Sequence, residues 1–228
     1  MKRSDFILLA ILLVIFLIFW LIPQTGDTYN HLNKEHGMWM SFAKFAVLAT
    51  FGESLALRIR TGHYNKPGFG LLPKAIVWGI IGLTIKMAFV IFSTGTPVFL
   101  EYMGLEGARQ SLRETLSITS LVTAFSISAA MNIIYAPVMM TFHRITDTHI
   151  ASQGGSIKAL LVAVPFRVIF PSLDWDNLWN FVFKKTIPFF WIPAHTITFL
   201  LPEQYQVLFA ALLSVALGVI LSIAAQNK

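Results

Sequence analysis

Apolar residues gather into six long runs separated by short polar gaps. The runs are Phe6–Ile22, Trp39–Leu57, Ala75–Phe92, Ile118–Met140, Ile187–Leu201 and Val207–Ala225. A hydrocarbon layer about 30 Å thick is crossed by roughly 20 residues of helix. Each run therefore predicts a transmembrane helix, and the chain reads as an all-α, polytopic transmembrane helical bundle with six spans. The first and last runs carry no charge. The second contains Lys44 and Glu53 and the third contains Lys86, so both are expected to be shielded from lipid by neighbouring helices. The fifth is short and holds Pro188 and Pro193, with Pro202 just beyond its end; proline removes a backbone donor, so a bent helix is predicted there.

Two stretches fit neither a loop nor a crossing. Lys158–Pro171 is apolar but too short to span, and includes Lys158, Pro165 and Arg167. It suits an interfacial or re-entrant segment. Asp174–Lys185 places Trp175, Trp179 and Phe183 four residues apart, one face of a helix lying at the headgroups. Leu105–Leu116, with Glu106, Arg109, Arg113 and Glu114, reads as an exposed turn or two of helix.

Composition agrees with this pattern. Of 228 residues, 56% are hydrophobic and only 12% charged, whereas a soluble domain carries about 25% charge. No room remains for a separate soluble domain, so residues 1–228 form a single integral membrane domain in which 1–38 supply an extra N-terminal helix and outer loop. Lys2 and Arg3 ahead of Phe6–Ile22 resemble the start of a signal peptide. The apolar run is longer than a signal-peptide core and Pro23-Gln24-Thr25-Gly26 offers no small-x-small cleavage site, which predicts an uncleaved first helix. The chain has no cysteine, which excludes disulfides, iron–sulfur ligation and thiol catalysis.

The basic residues follow a rule. Lys2, Arg3, Arg58, Arg60, Lys66, Lys74, Arg144, Lys158, Arg167, Lys184, Lys185 and Lys228 fall on one side of the six spans, and Lys34, Arg109 and Arg113 on the other. Cytoplasmic loops collect positive charge, so both termini are expected in the cytoplasm, with a bacterial inner membrane as the setting, or an organellar membrane in a eukaryote. The same edge-of-membrane placement explains the net charge of +6 without a nucleic-acid partner. The predicted partners are the lipid bilayer and a small solute or ion, and homo-oligomerisation is left open.

Small residues supply a packing signal. Ala210, Ser214, Gly218 and Ser222 recur every fourth position of the last run, and Ala124, Ser128 and Asn132 do so in the fourth. Such stripes let membrane helices approach closely. No internal repeat is visible, which weakens an inverted-repeat transporter reading.

Candidate chemistry is confined to polar groups inside the apolar runs. Glu53 needs an interior partner or a hydrated cavity, and Lys86 is the expected partner. Lys44 lies near a helix end and is expected to snorkel. His195, two residues after Pro193 with Thr198 about one turn along, is either a proton-responsive pore residue or an interhelical hydrogen-bonding group. Asn132 is read in the same two ways. Asp27, His31 and Glu35, with His36 adjacent, share a spacing that could ligate zinc, but such runs are common by chance and no metal site is predicted. His143-Arg144 and Asp147-Thr148-His149 read as solvated inner-loop residues. No Gly-x-Ser-x-Gly elbow, His-Glu-x-x-His or phosphate-binding glycine loop occurs; Gly68-Phe69-Gly70 lies in a basic loop. No enzyme and no cofactor are predicted.

The C-terminal third is similar to a known family. Trp191-Ile192-Pro193-Ala194-His195-Thr196-Ile197-Thr198-Phe199, then Pro202, Tyr205 and Ile220-Leu221-Ser222, resembles the family named for the 22-kilodalton peroxisomal membrane protein, small integral proteins of peroxisomal and mitochondrial inner membranes. Its hallmark runs W-P-x-x-Q-x-x-N-F, a proline, Y-R, and a helix ending Y-L-S. His195 falls at the Gln, Thr198 at the Asn and Phe199 at the Phe. Gly52-Glu53 resembles the family's Gly-Asp, and Met131-Asn132 before Ala136-Pro137 resembles its Asp-Gln before Ala-Pro. Trp191-Ile192 stands where the family has Trp-Pro, the interval from Phe199 to Pro202 is one residue short, and Gln206 replaces the Arg. The stretch G-P-x-x-H-x-W-Y has no counterpart around Ala75–Ser93, and the family is usually described with four helices. The likeness covers about residues 45–225 and is densest over 186–222, marking a distant, bacterial-type member. It implies a helical bundle able to form a small-solute pore, touching Glu53, Asn132, His195 and Thr198. The alternative is a non-catalytic structural or assembly protein whose polar residues only stabilise helix packing.

Overall fold

Each apolar run becomes helix, because a helix satisfies every backbone N–H and C=O within the segment. The computed structural model describes residues 2–114 and 116–226, and no strand occurs among the described residues. Contacts divide the chain into two units, Met1–Met40 and Ser41–Lys228. The first holds α1 (Arg3–Leu21) and α2 (Pro23–Glu35). Asp5, in the first turn of α1, accepts the Lys2 backbone N–H at 2.6 Å, where a carboxylate suits the helix dipole. On α2, His31 Nε2 lies 3.3 Å from Glu35.

The second unit contains nearly all of α3 (Gly37–Thr61), then α4 (Leu71–Tyr102), the single turn α5 (Ala108–Ser111), α6 (Ile118–Ile134) and α7 (Ala136–Ser152). A 3-10 turn at Ile157–Leu161, α8 (Phe166–Ser172) and α9 (Trp175–Asn177) follow. The chain then winds as a π-helix over Leu178–Trp191 and continues through α10 (Ile192–Leu200) to α11 (Glu203–Gln226).

Among the described residues, α3, α4 and α11 are each long and apolar enough to cross a membrane, and α6 with α7 would make a fourth crossing as a pair bent by 43°. The run Ile118–Met140, expected to be one helix, is instead broken at Tyr135 and prolonged to Ser152. Pro137 is the physical reason, since it has no N–H for the ladder and its ring crowds the preceding turn. The backbone still bonds across the break, Tyr135 N to Met131 O at 2.8 Å and Met139 N to Tyr135 O at 3.0 Å. A second departure lies downstream. The expected interfacial helix at 174–185 and the expected span at 187–201 are one unbroken helical run from Trp175 to Leu200. Pro188 lies within its π-wound part, where one ladder bond is lost in any case. Residues 158–171 form only short pieces.

The helices associate through close apolar packing and interhelical polar contacts. Val77, Ile81, Ile85, Ala88 and Phe89 line one face of α4 and meet Phe45 and Ala49 of α3, Ala124, Ile127 and Met131 of α6, Phe199 of α10, and Val207, Ala210 and Ala211 of α11. Glycine permits the closest approaches. A Cβ at Gly82 would lie 2.6 Å from the Ser41 carbonyl oxygen and 2.8 Å from Phe45 Cβ. A Cβ at Gly218 would lie 3.3 Å from the Gly52 oxygen, so the small-residue stripe of α11 rests on α3 there. Of the rest of that stripe, Ala210 and Ser222 are buried and Ser214 donates to the Ala210 carbonyl at 3.3 Å.

Gly82 and Gly95 share one helix but differ in surroundings, since a Cβ at Gly95 would meet nothing within 4 Å. Gly82→Ala is expected to destabilise by about 1–3 kcal/mol through overpacking. Gly95→Ala is expected to be neutral or to stabilise by about 0.5–1 kcal/mol. Unfolding midpoints of the two variants in detergent check the contrast.

Candidate functional site

Helical spacing brings five polar side chains together where α3, α4 and α7 meet. On α4, Lys74 and Trp78 are one turn apart; on α7, His143 and Asp147 are one turn apart; Glu53 projects from α3. Lys74 Nζ donates to Glu53 Oε2 and to Asp147 Oδ1, each at 2.6 Å. Trp78 Nε1 donates to Glu53 Oε1 at 2.7 Å, and His143 Nε2 lies 3.0 Å from the same oxygen. His143 is also 3.8 Å from Asp147, and its ring packs on Trp78 with centroids 4.3 Å apart. Phe69 covers the ammonium from the loop before α4, 5.1 Å from ring centre to Nζ. The loops behind are closed by Gly70 and Gly155, both at positive φ, where a Cβ on Gly155 would lie 2.7 Å from Gly70 N.

The side chains keep some exposure, 10% for Lys74, 21% for Glu53 and 22% for Asp147. The cluster thus borders water without being surrounded by it. Two carboxylates and one ammonium sum to one negative charge when His143 is neutral, and to zero when it is protonated. Glu53, His143 and Asp147 also present ligand atoms within 4.8 Å of one another, a span one cation could fill. The Lys74 ammonium supplies that positive charge.

Sequence reasoning found one member of this cluster. Glu53 needs an interior partner, and that partner is Lys74, which the charge pattern places on the basic side just ahead of the third run, and not Lys86. Lys86 instead pairs with Glu203 at 3.1 Å, with the glutamate 78% exposed. Lys44 is buried and does not snorkel to the surface. His143, Asp147 and His149 are not inner-loop residues. They belong to α7, and His149 is buried with Nε2 3.0 Å from the Ala159 carbonyl. The available signal was the four-residue spacing of His143 and Asp147 continuing the α6 pattern beyond Pro137.

The other expected site residues lie deeper. Asn132 Nδ2 is 3.0 Å from His195 Nδ1 and 2.9 Å from the Ser128 carbonyl oxygen, while Ser128 donates to the Ile192 carbonyl at 2.7 Å. Asn132 and His195 are therefore brought together, joining α6 to α10. Phe89 meets the His195 ring edge-on and Trp191 packs beside it, with centroids at 5.8 and 5.1 Å. The Trp191 Nε1 donor is buried without a hydrogen-bond partner among the described residues. Thr198 is fully buried, but its hydroxyl donates to Ala194 of its own helix at 3.0 Å. Between the two groups, Thr84 and Tyr135 share a hydroxyl hydrogen bond of 2.7 Å. No family model, curated protein or solved structure matches the chain.

Lys74 and Lys86 make opposite predictions in a double-mutant cycle with Glu53. Lys74→Met leaves two carboxylates unpaired, and its cost is expected at about 2–4 kcal/mol, below the range for a fully dry pair because the acids retain solvent. Glu53→Gln combined with Lys74→Met should be strongly non-additive. Glu53→Gln combined with Lys86→Met should be additive within about 0.5 kcal/mol. Unfolding midpoints of the singles and doubles in detergent decide between the partners.

Proposed function

We propose that the chain is a six-span integral membrane protein whose interior polar face forms a gated path for small solutes or ions. The spans are α1, α3, α4, the bent α6–α7 pair, the run Trp175–Leu200, and α11; an even count leaves both termini on the basic, cytoplasmic side. One observation carries the path. Ser128, Asn132, Tyr135, Met139, His143 and Asp147 follow one another at spacings of four, three, four, four and four along α6 and α7, which puts them on a common face. From first to last they rise about 28 Å, nearly the thickness of a hydrocarbon layer. Five of the six are polar, and each of those five touches a group on another helix.

Met139 is the apolar member of the face and is packed against the main core. A single apolar constriction in a polar path closes it by excluding water, so this position is where the resting path is shut. The second reading, a structural or assembly protein, is favoured by a specific feature of the same face: its polar side chains are all bonded to protein, as in a dry seam between helices. The resemblance of Glu53, Asn132, His195 and Thr198 to the peroxisomal membrane protein family supports the first reading.

Purified protein reconstituted in liposomes is expected to pass small solutes, with flux lowered several-fold by Glu53→Gln and His195→Ala. Met139→Ser should raise flux, since it wets the one apolar position without removing a polar contact. Flux equal to that of empty vesicles for the wild type and for Met139→Ser would end the path and leave the structural reading.

A further inference from the structure

The faces of α7 diverge. His143 and Asp147 turn toward Lys74, whereas Arg144 and Thr148, one position later in each case, line a separate recess of about 220 Å³ with Ser172, Asp174 and Asn177. Arg144 and Asp174 are its two charged groups. Among the described residues the Arg144 side chain makes no hydrogen bond or ion pair with the protein, so a guanidinium with five donors faces the recess. Asp174 Oδ1 accepts the Asn177 backbone N–H at 3.0 Å, which leaves its second oxygen open. The hydroxyls of Thr148 and Ser172 donate to carbonyls of their own helices, at 2.9 and 2.8 Å. Their oxygens therefore offer lone pairs and no proton.

The recess thus has a donor side, Arg144, and an acceptor side, Asp174 with two hydroxyl oxygens. A phosphoester beside Arg144 and a primary ammonium beside Asp174 satisfy both. The ammonium brings three N–H groups, matching three acceptors. A quaternary ammonium has none to donate, and a glycerol headgroup has no positive charge. The surroundings point to a lipid as the source. From Ala151 to Leu173 there is no acidic residue, and Leu161, Phe166 and Val168 are exposed apolar side chains beside the recess segment. The Lys74–Asp147 contact holds this end of α7 at the level of the start of α4, which follows the last turn of α3 with Arg58 and Arg60 and the loop carrying Lys66, and this basic end is the headgroup level of the proposed bundle.

We propose that the recess between α7, α8 and α9 binds the headgroup of an aminophospholipid, its phosphate on Arg144 and its ammonium on Asp174, Thr148 and Ser172. The proposal is independent of whether the bundle conducts. The full chain is purified in mixed micelles containing equal phosphatidylethanolamine, phosphatidylglycerol and phosphatidylcholine, and the retained lipids are counted by native mass spectrometry. Phosphatidylethanolamine should be enriched about tenfold over phosphatidylcholine, the ratio expected of one charge-assisted hydrogen bond. Arg144→Gln and Asp174→Asn should each abolish the enrichment, and Arg144→Lys should keep part of it. Asparagine remains a good cap for α9, so the Asp174→Asn chain should retain its unfolding midpoint and serve as the folded control. Retention in bulk proportion, or phosphatidylglycerol enriched above phosphatidylethanolamine, would overturn the proposal. Displacement of the lipid by free phosphoethanolamine at equal affinity would overturn its lipid source.

Discussion

A largely buried ammonium shared by two carboxylates organises this bundle. Lys74 meets Glu53 of α3 and Asp147 of α7 from its own place on α4, so one cation sets the lateral and axial register of three helices. A lone charge at that depth would be costly, and it can be neutralised only where the three helices come within hydrogen-bonding distance. Trp78 and His143 complete the Glu53 carboxylate and pack on each other, which fixes the rotation of α4 and α7 about their axes. Removing the cation leaves two like charges facing each other, whereas removing Lys86 frees an exposed glutamate that water solvates.

The bend at Tyr135 follows from Pro137 and has a structural use. A straight helix accumulates angular drift when its polar positions are spaced by four. One spacing of three and a bend of 43° bring Asn132 toward His195 while His143 still reaches Glu53. Along this face the polar side chains are satisfied by protein groups on neighbouring helices, and Met139 packs against the main core between them. Glycine contacts do complementary work: Gly82 against Ser41 and Gly218 against Gly52 let α4 and α11 approach α3 closely enough for short polar side chains to bridge the helices.

Much of the fold was legible in the apolar runs. A long, strongly apolar stretch favours helix, which satisfies its backbone internally whatever it packs against, and α3, α4 and α11 lie where hydropathy places them. The apolar run from Ile118 ends at Met140 while the helix continues, because threonine, histidine and aspartate lower local hydropathy just where α7 turns them inward. The stretch 174–201 reads as two elements in sequence because Lys184 and Lys185 interrupt its apolar pattern. A continuous helix tolerates those lysines, with Lys184 lying over the Trp179 ring.

For the site, sequence alone determined that Glu53 could not face lipid and that Asn132 and His195 needed partners, since desolvation depends on local burial and residue type. It could not say which partner. Lys74 and Lys86 lie twelve residues apart on one helix and differ little in composition around them. Only the tertiary arrangement decided between them, by placing Lys74 at the level of Glu53 and Asp147 and Lys86 beside Glu203. Pairing is a property of distance between helices, and the axial offsets of α3, α4 and α7 arise from contacts far apart in the chain.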